Sequence, residues 1–127
     1  MFIGFAELQQ MALRSADVTM PCTCHGAALW AWQPLPYTLE LDQFDELGSL
    51  VEDPYAIPSV AEYHPNGTRY DSDDAPIAPR YFPCNLSQVV RCVKCGRHYL
   101  RYNEAGGYFS ELRMRALRPQ LLVDAAL

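Results

Sequence analysis

Four of the chain's five cysteines stand in two tight clusters. Cys22 and Cys24 lie in CTCHG, and Cys92 and Cys95 in CVKCG. Each cluster closes on a glycine, Gly26 or Gly96. A fold in which the clusters meet must bring distant segments together, so an architecture of purely local contacts is excluded. The odd cysteine count argues against a disulfide framework. So does the N-terminus, MFIGFAELQQ, which has no basic leader and whose apolar run is broken by Glu7, Gln9 and Gln10. Reduced, metal-binding thiols in a cytoplasmic protein are the expectation. No apolar stretch approaches the roughly 20 residues that cross a bilayer.

Structural zinc takes four ligands, usually cysteine thiolate or histidine nitrogen, in a tetrahedron. The spacing of Cys92 and Cys95 lets both sulfurs face one ion, and Gly96 permits the positive φ such a turn needs. The first cluster offers two choices. Cys22 and Cys24 form one pair, while Cys22, His25 and Gly26 repeat the spacing of the second cluster. The expected set is Cys22, Cys24, Cys92 and Cys95, with His25 as the alternative to Cys24. Four protein ligands leave no open position, so the Zn2+ is expected to be structural. Cys84, following Pro83, reads as a buried free thiol. A redox role for Cys92 and Cys95 would want that motif at a helix N-terminus after a strand, and here it joins two expected strands.

The chain has 127 residues, half of them hydrophobic, with 20% charged and ten prolines. That suits one domain spanning 1–127, with a real core and many irregular connections. Residues 1–90 carry twelve acids against three bases, whereas 91–118 carry seven bases against two acids. The chain thus has an acidic body (1–90) and a basic knuckle-and-hairpin segment (91–118). Residues 3–15 predict a helix, with Phe2, Phe5, Leu8, Ala12 and Leu13 along one stripe. Trp30 and Trp32 alternate as on a strand, and so do Tyr37, Leu39 and Leu41. Asp42 could cap a short helix through Val51, a reading that Gly48 weakens. HPNG at His64–Gly67 signals a turn, with Asn66-Gly67 suited to a hairpin. LSQVVRC, RHYLRY and YFSELRMR predict strands, the last two joined at NEAGG. The hairpin is expected to bury Leu100, Tyr102, Leu112 and Met114 and to show a row of arginines. RPQLLVDAAL closes the chain as an apolar turn. The expected fold is α+β: a small antiparallel sheet, an N-terminal helix and a zinc-ribbon-like staple.

CVKCGR resembles the knuckles of zinc-ribbon and rubredoxin-type proteins, while the Cys-x-Cys half departs from their usual Cys-x-x-Cys. The stretch from Cys92 to Leu122 is similar to that of small bacterial proteins. Some proteins of this size and acidity are immunity proteins encoded beside interbacterial toxins. The resemblance implies neutralisation of a toxin by direct binding and adds no catalytic residue.

Three classes of function follow. A protein-binding module would use acids drawn from Glu40, Asp42, Asp45, Glu46, Glu52 and Asp53, or from Asp71, Asp73 and Asp74. Tyr37, Phe44, Tyr55, Tyr63 and Tyr70 would serve as anchors. A nucleic-acid-binding ribbon would use Arg97, Arg101, Arg113 and Arg115 with Tyr99, Tyr108 and Phe109, against a net charge of −5. An enzyme is not expected: the zinc deaminase and His-Glu-x-x-His signatures are absent, and His64 and His98 stand alone.

Overall fold

The computed structural model describes residues 1–105, 108 and 110–127. In chain order the regular elements are α1 (Phe5–Ala16), α2 (Thr23–Gly26), β1 (Gln33–Pro34), β2 (Phe44–Ser49), β3 (Gln88–Cys92), β4 (His98–Ala105) and β5 (Ser110–Ala116). All five strands form one antiparallel sheet in the order β1-β5-β4-β3-β2. An α+β architecture with one main helix is what the sequence predicts. Gly106, Gly107 and Phe109, in and beside the expected NEAGG turn, lie outside the described residues.

Helix α1 buries Leu8, Met11, Ala12 and Ser15. This i, i+3, i+4, i+7 stripe is what an amphipathic helix turns to a core. Phe2 and Leu13, placed on the stripe from sequence, are exposed instead. Period-two alternation in β3 and β4 sends side chains to both faces of the sheet, and both faces are covered. One face carries Val89, Leu100 and Tyr102 against Leu8, Met11, Trp32 and Ile77. The other carries Val90, Cys92, Tyr99 and Met114 against Cys24, Leu29, Leu39 and Phe44. Met114 therefore lies opposite Leu100 and Tyr102, not beside them. The C-terminal turn docks as expected, with Leu121 and Leu122 on the first core and Leu122 bridged to Ile77.

Several expectations are corrected. Asp42 does not cap a helix to Val51: a 3-10 turn at Leu41–Gln43 leads into β2. Glycine inside a helix costs about 1 kcal/mol, whereas in β2 Gly48 gives the N-terminal segment room to approach. Ile3 N–H donates to Ser49 O, and Ser49 N–H to Met1 O. The register with β3 shifts between Glu46 and Gly48, so Leu47 is the extra residue of a bulge. The Trp30–Trp32 strand shrinks to Gln33–Pro34, a proline-bearing edge strand. Tyr37–Leu41 makes a turn, closed by Leu39 N–H to Pro36 O, in place of a strand. His64–Gly67 is a turn with Gly67 at φ +80, but no paired strands flank it.

A Cβ at Gly48 would sit 2.7 Å from Ile3 Cδ1 and 2.9 Å from Met1 O. Gly48→Ala should therefore lower stability by about 1–3 kcal/mol, read as a lower urea midpoint. Gly4→Ala, where a Cβ meets nothing within 4 Å, should move it little. Equal midpoints would contradict the close packing of the N-terminus on β2.

Candidate metal centre

The two cysteine clusters meet at one end of the sheet. The Sγ atoms of Cys22, Cys24, Cys92 and Cys95 all lie within 4.8 Å of one another. Across the clusters, Cys22 Sγ is 3.7 Å from Cys92 Sγ, and Cys24 Sγ is 3.5 Å from Cys95 Sγ. Sulfurs about 2.3 Å from a tetrahedral zinc stand roughly 3.8 Å apart, so four of this spacing can surround one ion. None of the cysteines is disulfide-bonded.

The second cluster forms the knuckle its sequence suggests. Cys92 ends β3, Gly96 takes φ +87, and Gly96 N–H donates to Cys92 O at 2.8 Å. Arg97 N–H reaches Cys95 Sγ at 3.4 Å, a backbone donor aimed at a ligand sulfur. The first cluster is built differently. Cys22 is extended (φ −154, ψ 150) and caps α2, with His25 and Gly26 N–H both donating to its carbonyl. Two positions within a regular helix would diverge by about 200°. With Cys22 extended and Cys24 in the first turn, both sulfurs reach the knuckle. Gly26 stays helical, so this half is not a second knuckle. His25 is exposed and sits edge-on to Trp30 at 5.4 Å, outside the sulfur cluster.

Sequence reasoning missed Gln43. This buried side chain donates from Nε2 to Cys92 Sγ at 3.4 Å and lies 3.8 Å from Cys22 Sγ and 3.3 Å from Thr23 Oγ1. The Gln43 backbone carbonyl accepts Val93 N–H at 2.8 Å, tying the start of β2 to the knuckle. A glutamine before an unrecognised strand carries no signal for such a role.

The thiols sit in unequal electrostatic surroundings. Burial drives the Cys24 thiol far up, with the Tyr99 hydroxyl and the other thiols as smaller influences. Burial likewise raises Cys95. At Cys22 burial acts upward too, but the Cys24 N–H and the neighbouring thiols outweigh it and bring the group down to about 7. Four thiolates at this spacing repel one another, so a full set of charges needs an ion among them.

Other candidate residues are dispersed. Glu40, Asp42, Asp45, Glu46, Glu52, Asp53, Asp71, Asp73 and Asp74 are all exposed. Among the proposed anchors, Tyr37 and Tyr55 are open to solvent. Phe44 is buried against Tyr99, Tyr63 leans on Tyr81, and Tyr70 bonds Tyr102 and Arg113. The row of arginines is a correction. Arg97 is buried and donates to Met20 O and Val18 O, and Arg115 is 1% exposed and donates to Ala75 O. Both cations are drawn inward by carbonyls of remote segments. Arg101 reaches Gln88, and Arg113 pairs with Glu111. Tyr99 is buried and Tyr108 exposed.

Cys84 is a buried free thiol, raised by burial to about 11 with Arg115 opposing. It lines a small cavity with His64, whose ring nitrogens bond Thr68 and Glu62. His98 is buried, and burial with Arg91 and Arg14 brings it down to about 4. No described helix is long and apolar enough to cross a membrane. Compared with family models, curated proteins and solved structures, the chain finds no match, so no family supports the resemblance to immunity proteins.

If the four sulfurs form the ligand set, Cys24→Ser should lose the metal or bind it at least about tenfold more weakly, while His25→Ala should keep one ion per chain. Native mass spectrometry of reduced protein reads both. Retention in Cys24→Ser with loss in His25→Ala would reverse the assignment.

Proposed function

We propose that the four cysteines hold one structural Zn2+ and that the stapled domain works by binding another protein, most concretely as an immunity protein that neutralises a bacterial toxin. The observation that carries the structural role is the closed four-sulfur set. It fills a tetrahedron with protein ligands, and thiolate donors of this number suit zinc. Such an ion supplies a cross-link between segments 70 positions apart, and no substrate position.

The protein-binding reading rests on the surface. The exposed acids of the body, with Tyr37 and Tyr55 open to solvent, offer charge and aromatic anchors to a basic partner. Binding to nucleic acid through the C-terminal hairpin is the lesser reading. Burial of Arg97, Tyr99 and Arg115 removes three of the side chains it would use.

The test is co-expression with the product of the neighbouring reading frame. Growth arrest by that product, reversed by the wild-type chain and not by Cys92→Ser, is the expected result. Failure of the chain to restore growth, together with salt-sensitive binding to a single-stranded oligonucleotide, would favour the hairpin reading instead.

A further inference from the structure

Between β2 and the buried Ala75 runs a long segment without regular structure, and its first part behaves unlike the rest of the surface. From Glu52 to Glu62 every residue except Ser59 is exposed. Three large apolar side chains lie within six positions: Tyr55 is 96% exposed, Ile57 97% and Val60 81%. Single exposed apolar residues are ordinary, but three so close in sequence make this segment a candidate interaction site.

The segment is also held. Asp53 caps its own turn, its carboxylate accepting Tyr55 N–H at 2.9 Å and its carbonyl accepting Ala56 N–H at 3.2 Å. Further on, Ser59 O accepts from Asn85 Nδ2 at 2.9 Å, and Ala61 O accepts Phe82 N–H at 2.8 Å. Pro54 and Pro58 restrict the backbone between these anchors. The apolar side chains are thus displayed on a strap that turns at Asp53 and is tied to the body at Ser59 and Ala61, which lowers the ordering cost of docking. Against the strap lies a cavity of about 400 Å³ whose walls include Phe2, Phe5, Leu50, Val51, Ile57 and Leu127. At its rim Arg80 is paired with Asp124, while Glu52 and Asp53 have no cationic partner among the described residues.

We propose that this strap is the docking face of the module, and that it takes a protein partner presenting an apolar ridge flanked by lysine or arginine. The ridge enters the cavity beside Ile57, Tyr55 and Val60 cover it, and the partner's cations meet Glu52 and Asp53. The assignment rests on the reading of the chain as a protein-binding module.

The probe is a fluorescein-labelled amphipathic peptide of leucine and lysine, titrated into the metal-loaded full chain and followed by anisotropy. The wild type should bind it, more weakly as salt rises. Tyr55→Ser with Ile57→Ser, and separately Glu52→Gln with Asp53→Asn, should each weaken binding by about tenfold or more. Glu7→Gln with Asp17→Asn, exposed acids outside the candidate set, should bind as wild type. All these positions are exposed, so unchanged melting curves will exclude unfolding. Equal binding by the strap variants, or no binding by the wild type, overturns the proposal. A concentration-dependent dimer that Tyr55→Ser with Ile57→Ser abolishes also overturns it, making a second copy the occupant. The same variants belong in the co-expression assay. Strap variants that still restore growth sink the strap and leave the module standing, whereas a wild type that restores nothing sinks the module itself.

Discussion

Four cysteine sulfurs gathered within 4.8 Å of one another are the constraint on which this corner of the fold depends. Burial holds protons on some of them, and ionising all four would stack like charges in a poorly solvated corner. A divalent cation would offset those charges, taking the place of the thiol protons. It would also join segments 70 residues apart. On the chain-entropy scale used for covalent cross-links, closing a loop of that span removes about 4 kcal/mol of unfolded-state freedom. The surrounding structure is arranged for this corner: an extended Cys22 leading into α2, a knuckle turned by Gly96, and Gln43 donating to Cys92 Sγ.

A metal at the four sulfurs would also help so short a chain cover both faces of its sheet. Helix α1 and the C-terminal turn close one face, and the segment from Cys24 to Leu39 closes the other. That second cover has little regular structure of its own beyond one helical turn and a two-residue strand. The packing of Cys24, Leu29 and Leu39 holds it against Phe44, Tyr99 and Met114. Covering both faces has an electrostatic consequence. Arg97 and Arg115, which alternation alone would leave outside, are enclosed and donate to carbonyls instead of carboxylates, with Arg115 Nε left without a partner among the described residues.

What was legible from the residues was local. The helix α1, the strands β3 to β5 and the Cys92–Gly96 knuckle all express short-range periodicity or turn chemistry, although Phe2 and Leu13 proved exposed and Met114 faces away from Leu100 and Tyr102. What was not legible depended on distant partners. Asp42–Val51 is rich in residues a helix tolerates, and only pairing with β3 and the approach of Ile3 make it a strand. The burial of Arg97 needs Val18 and Met20, and that of Arg115 needs Ala75, all far off in sequence. The choice between Cys24 and His25 was open because the first cluster copies the spacing of the second. The backbone separates them: Gly26 continues a helical turn where Gly96 takes positive φ, and His25 is carried out to Trp30.

The most direct measurement is zinc-edge X-ray absorption on freshly purified, reduced protein. The account predicts one zinc per chain with four sulfur scatterers at about 2.3 Å and no light-atom ligand. A shell of three sulfurs and one nitrogen, or a chain that carries no zinc, would contradict it.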